Sequence, residues 1–258
     1  MLILLIGCAG DDPGFPGTTP VEDNLVERWE VEGLTWDLAL LDGRVLSTTQ
    51  FGGSLYAWDP SSDTEEEIGD DLGETLGVVV HQGEVLFTVT DSGMTGYLAR
   101  LDDIRRYTEL VSQGDAGLPM RRLEDLVVGE DGQLYAADPG AEAVWRIAPD
   151  GSTAKVVTRG VQPTAVAFHG GRLHWATTDG VYEWDEGTET AIQVLDHGGY
   201  GLLSDGGELL VGTDEGVVID GQLVAQGQGL GRAAAMVRLG DHIYVADQGQ
   251  GSVWSFER

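Results

Sequence analysis

The chain has 258 residues, 41% of them hydrophobic, which suffices for one all-β core and excludes a disordered composition. Its 39 glycines follow no triplet period, which excludes collagen and marks many tight turns. Lys and Arg total 14 against 44 Asp and Glu, and this formal charge of −30 repels phosphates and argues against nucleic acid as a partner.

The chain opens on an apolar run, Met1 to Gly7, that ends at Cys8. A bilayer span needs about 20 apolar residues, so this run does not cross. It resembles the end of a bacterial lipoprotein signal, with Leu5-Ile6-Gly7-Cys8 as the lipobox. The resemblance implies cleavage before Cys8, acylation there, and a place in the cell envelope with the lipid as sole membrane contact. No Lys or Arg precedes the run, and it is short for such a signal, which points to a start upstream of Met1. Cys8 is the one cysteine, so no internal disulfide is expected. Residues 8 to 24 follow as a tether, with Gly10, Pro13, Gly14, Pro16, Gly17 and Pro20 against packing.

From Leu25 a unit recurs: an apolar run, a Gly-containing turn, a second run of β-branched and aromatic residues, then a third strand with an aromatic. Leu126 to Asp138 matches Met236 to Asp247, and Ala143-Val-Trp-Arg-Ile147 matches Ser252-Val-Trp-Ser-Phe256. Further copies begin at Leu38, Val78, Val166 and Leu202. Their spacing of roughly 33 to 48 residues suits four-stranded propeller blades. Asp42-Gly43, Asp131-Gly132, Gly170-Gly171 and Gly206-Gly207 are placed for short hairpins that need positive φ. The last unit lacks a fourth strand, and the first is preceded by a spare one, Leu25 to Val31. The pattern therefore predicts an all-β, six-bladed propeller over residues 25 to 258, its last blade closed by the N-terminal strand. Trp58, Trp145, Trp184 and Trp254 fall at strand positions that predict core between blades.

Leu134-Tyr-Ala-Ala-Asp-Pro-Gly to Asp150-Gly151, and Ile243-Tyr-Val-Ala-Asp-Gln-Gly to Trp254, resemble blades of the NHL-repeat and gluconolactonase-like propellers. That resemblance implies architecture more than activity, because the group holds lactonases, organophosphate hydrolases and pure binding proteins. In its enzymes it implies a divalent metal, usually calcium, held by Glu, Asn and Asp at the top of the channel. Aligning the inner strands on their hairpins gives one tier of Trp36, Leu76, Asp125, Thr164, Tyr200 and Ala234. The next tier is Asp37, Gly77, Leu126, Ala165, Gly201 and Ala235. Neither tier supplies converging carboxylates and amides, and the one Asn is Asn24. Asp37, Glu124 and Asp125 are the candidate metal ligands, with calcium the candidate ion.

The five histidines do not assemble; of them only His197 is placed near the upper rim. No Gly-x-Ser-x-Gly elbow is present, so no catalytic residue is assigned. Gly227 to Gly231 lacks phosphate-loop spacing and reads as a connection between blades. Basic residues are scarce, yet Arg121, Arg122 and Arg232 lie just before inner strands, on the face where propellers bind. With Glu124, Asp125 and Tyr200 they form the candidate ligand site, and Gln50 and Asp91 are expected near it. The opposite face of short hairpins is expected to offer little. The expectation is a monomeric, non-catalytic binding or scaffolding disc for a protein or a small polar ligand. The alternative is a calcium-dependent lactonase or esterase.

Overall fold

The computed structural model describes residues 24 to 31, 33 to 50 and 52 to 258. Cys8, the lipobox and the tether up to residue 23 lie outside the described residues. The strands form six four-stranded antiparallel sheets, a β-propeller with one short 3-10 turn at Asp115–Gly117. Strand β1 is Val26–Glu30. Blade 1 holds β2 to β5: Thr35–Leu41, Arg44–Thr49, Leu55–Asp59 and Thr64–Gly69. Blade 2 holds β6 to β9: Glu74–His81, Glu84–Thr90, Gly96–Asp103 and Arg106–Val111. Blade 3 holds β10 to β13: Asp125–Val128, Leu134–Asp138, Ala143–Ile147 and Ala154–Arg159. Blade 4 holds β14 to β17: Ala165–His169, Arg172–Ala176, Val181–Asp185 and Thr190–Leu195. Blade 5 holds β18 to β21: Gly201–Asp205, Glu208–Gly212, Val217–Ile219 and Gln222–Ala225. Blade 6 takes β22 to β24, Ala233–Leu239, His242–Asp247 and Ser252–Glu257, and is completed by β1.

The closing strand is as the sequence predicts. Val26 pairs with Ser255 and Glu30 with Ser252, so the two ends of the chain share one sheet. Asn24 belongs to the ring as well: its side chain donates to Val224 O at 2.9 Å and accepts from Gln226 N at 3.0 Å. Trp29 is buried against the indole of Trp58 in blade 1, ring centroids 5.8 Å apart. The core is a series of such clusters between neighbouring blades, as inner faces of adjacent sheets interleave. Trp58, Trp145 and Trp254 are buried in them, whereas Trp184 is only half-buried.

Turn chemistry fixes the hairpins. Asp42 and Gly43 have φ of 50° and 79°, the paired positive values of a two-residue turn that matches strand twist. Blade 3 departs from this. Val128 pairs with Leu134 around a wider loop, 129 to 133, in which only Gly132 has positive φ. Asp131 instead accepts the N–H of Gln133 at 3.0 Å and organises the loop through its side chain.

Candidate functional site

The six inner strands wall a central channel of about 330 Å³. Asp37 and Asp125 occupy equivalent positions in it and make equivalent bonds. Asp37 accepts the N–H of Leu38 and, from the next blade, that of Val78, each at 2.7 Å. Asp125 likewise accepts the N–H of Leu126 and of Val166, each at 2.7 Å. Each carboxylate thus staples its own inner strand to the neighbouring one. The hairpin alignment set Leu126 level with Asp37, and the structure sets Asp125 there, because the wider loop of blade 3 shifts the register by one residue. Burial pushes Asp37 well above the usual carboxylate range, the Asp125 charge adds to it, and the N–H donors of Val78 and Leu38 oppose it. Burial lifts Asp125 to about 6 against the N–H donors of Val166 and Leu126.

One rung above lies the mouth. Glu124 is raised to about 7 by burial, with Arg122 opposing, Asp138 and Asp125 adding, and Arg232 opposing. Arg122 pairs with Glu124 at 2.8 Å, and its guanidinium lies 5.0 Å from the Trp36 ring centroid. On the opposite side, Arg232 lies 3.9 Å from the Tyr200 ring centroid and 3.1 Å from Asp214. A guanidinium on an aromatic face is held flat and partly desolvated, which stiffens it for recognition.

The backbone under both arginines is fixed the same way. Asp138, fully buried, accepts the N–H groups of Arg121, Arg122 and Ala141, each at 2.9 Å, and the Trp145 indole N–H at 3.0 Å. Asp247, also fully buried, accepts those of Gly231 at 2.9 Å, Arg232 at 3.0 Å, Gly249 at 2.8 Å and Gln250 at 3.2 Å. Arg122 and Arg232 are therefore repeat-equivalent residues of blades three apart in the ring.

The structure brings together Arg122, Glu124, Asp125, Tyr200, Arg232 and Asp37 of the predicted residues. Arg121 is exposed and joins neither aromatic stack. Gln50 donates to Glu74 at 2.6 Å, and Asp91 closes its own loop by accepting from Gly93 and Thr95. His197 lies 3.6 Å from Asp196. Trp36, Asp138, Asp214 and Asp247 were not among the predicted site residues. A signal for two of them was present, since Tyr-Ala-Ala-Asp138 and Tyr-Val-Ala-Asp247 recur at the same place in their repeats.

Calcium takes about six to eight oxygens around one point. Asp37 and Asp125 have both oxygens engaged by backbone N–H groups, and Glu124 is paired with Arg122. No group of three or more His, Cys, Asp and Glu among the described residues is disposed to hold a metal ion. The side chains as arranged do not make the converging oxygen set that calcium requires. The lower face, for its part, is not bare: a cleft of about 750 Å³ opens there between blades 3 and 4.

No family model matches the chain, and no curated protein matches it in sequence. Solved structures do match in fold. A gluconolactonase from Xanthomonas campestris superposes with a TM-score of 0.75 at 20% identity, over 90% of this chain and 89% of that one. The PQQ-bound aldose sugar dehydrogenase of Streptomyces coelicolor gives 0.66 at 14%, over 93% and 99%. A streptogramin B lyase gives 0.60 at 14%, over 91% and 88%. At such identities the likeness carries the propeller fold and no activity.

Proposed function

We propose that this propeller is a binding module that recognises a small polar or anionic ligand at the channel mouth, between Arg122 and Arg232. The observation that carries this reading is the pair of repeat-equivalent arginines, each laid on an aromatic ring, in a chain with 14 basic and 44 acidic residues. Against so negative a background, cations held rigidly at one opening concentrate attraction for an anion there. The second reading is lactone or ester hydrolysis of the gluconolactonase-like type. Glu124 favours it, because a carboxyl lifted to about 7 is suited to proton transfer near neutral pH.

One experiment separates the two. Wild-type protein and the Arg122→Ala/Arg232→Ala variant are incubated with a polar metabolite extract and analysed by native mass spectrometry. The same preparations are assayed on glucono-1,5-lactone with and without calcium. The binding reading expects a retained species that falls at least tenfold in the variant, with no lactone turnover. Equal retention by both proteins removes the arginines from recognition. Turnover that disappears in Glu124→Gln replaces the binding reading with the enzymatic one.

A further inference from the structure

The cleft between blades 3 and 4 lies at the lower, outer edge of the ring, away from the channel mouth. Its volume of about 750 Å³ is in the range of small-molecule sites. Blade 3 contributes Tyr135, Arg146, Lys155 and Val157, and blade 4 contributes Phe168 and Trp184 among others. We infer that this cleft is a binding site for an aromatic monoanion.

The repeat supplies the first argument. Trp58 and Trp184 occupy equivalent positions on the third strands of blades 1 and 4: Trp58 pairs with Val45, and Trp184 follows Glu183, the partner of His174. Trp58 is covered by Trp29, which blade 6 sends across the gap and stacks on it at 20° between ring planes. In the gap between blades 3 and 4 the register position of Trp29 falls to Thr158 of the outer strand β13, and Val156 and Val157 line the cleft beside it, all far smaller than an indole. Trp184 is consequently half-buried, and its ring neighbour is the tilted Trp175 at 6.4 Å. Tyr135 and Phe168, edge to face at 4.9 Å, line the same space. A flat ring entering the cleft would fill the place that Trp29 fills half the ring away, and offset or edge contacts of this kind favour aromatic occupants.

Charge supplies the second argument. Lys155 is the one lysine of the chain. It stands on β13 directly across from Arg146, and Arg146 stands across from Tyr135. Arg146 is already paired with Asp131 at 2.6 Å, and Arg172 at the lower rim is paired with Glu183. Lys155 is exposed and makes no ion pair among the described residues. Of the acids on the blade 4 wall, Asp185 is engaged by the Gly187 N–H and the Thr188 hydroxyl, while Glu186 and Glu189 are exposed. Among the described residues, Lys155 is the one cation of this lining that no carboxylate pairs, and it stands at the edge of an aromatic slot, where it suits a ligand with a ring and a single negative charge.

The probe is 1-naphthoate, titrated calorimetrically into the full chain, with 1-naphthalenemethanol as its uncharged counterpart. Saturable binding at one site is expected, at least tenfold weaker for naphthoate in Lys155→Gln and unchanged there for the alcohol. Val157→Trp, which fills the cleft with an indole from its own lining, is expected to abolish binding of both. Arg232→Ala at the mouth is expected to leave both intact, which keeps this test separate from the function proposed above. Absence of saturable naphthoate binding overturns the inference. So does wild-type naphthoate affinity in Lys155→Gln, an exposed site whose replacement does not endanger folding.

Discussion

Blades 3 and 6 differ from blades 1, 4 and 5 at one position, the last residue of the second strand or the one just after it. Blades 3 and 6 carry Asp138 and Asp247 there, and the others carry Thr49, Thr177 and Thr213. Each threonine hydroxyl bonds a carbonyl within its own loop: Thr49 to Ser54, Thr177 to Gly180, Thr213 to Gly216. A hydroxyl gives one donor and so serves one loop. A buried carboxylate accepts several N–H groups, so each aspartate ties its own loop to the connection that enters its blade. The two connections held in this way are those that carry Arg122 and Arg232 at the mouth. The comparison teaches that rigidity has been concentrated under the cationic loops and left simpler elsewhere.

Blades 3 and 6 are not alike in closure, and that is where the largest effect is expected. Blade 3 owns its fourth strand, whereas blade 6 borrows β1 from the other end of the chain. Deleting residues 24 to 31 removes buried Leu25, Trp29 and Val31 together with a full ladder. Losses of about 2 to 5 kcal/mol per large apolar side chain would consume the stability of an ordinary domain. The deletion is expected to erase the cooperative thermal transition seen by calorimetry. An unchanged melting temperature would mean that the seam is not what holds the ring.

The clamps themselves come next. Asp138→Ala and Asp247→Ala each leave several part-buried N–H groups without their acceptor and are expected to cost about 3 kcal/mol apiece in denaturant unfolding. Because they sit three blades apart, the double variant should show the sum. Thr177→Ala, losing one neutral bond, should cost about 1 kcal/mol. Equal costs at the aspartate and threonine positions would dissolve the distinction between the two kinds of blade.

A pH-dependent effect distinguishes blade 3 from blade 6 in the channel, where Ala235 stands at the position equivalent to Asp125. A native value of about 6 lies above the unfolded one, so between the two the folded state binds the proton more tightly. Stability from this group is therefore present at low pH and lost as pH rises through about 6, by at most about 3 kcal/mol. Asp37, raised in the same sense, adds to that slope. Asp125→Asn should flatten the fall in unfolding free energy between pH 4 and pH 7 relative to wild type. An identical slope in the two proteins would show that the Asp125 proton does not report on folding.

The architecture was legible because each repeat writes the same turns and strand alternation, and because a spare strand at one end matched a missing one at the other. The site was legible in part. Arginines just before inner strands are visible in a chain poor in basic residues, so Arg122 and Arg232 could be found, but nothing local separates Arg122 from Arg121. That distinction depends on which side chain meets Trp36, a contact between blades 1 and 3. The equivalence of Asp37 and Asp125 was hidden by the five-residue loop of blade 3, since a count from the hairpin assumes equal loop lengths. The cleft was invisible because it arises from what β13 lacks, and the contrast with Trp29 needs the blades side by side.

The seam also sets an order of events. Arg28 bonds the Ser255 hydroxyl across 227 residues of sequence, a contact that no partially made chain can form. Contacts of such range carry a large loop-closure entropy and fold slowly. During synthesis the five complete blades emerge and can collapse while β1 remains without its sheet, a strand with open edges waiting for β24. The capture of β1 by β24 is thus a late act of folding, and until then β1 is exposed to pairing with the wrong partner.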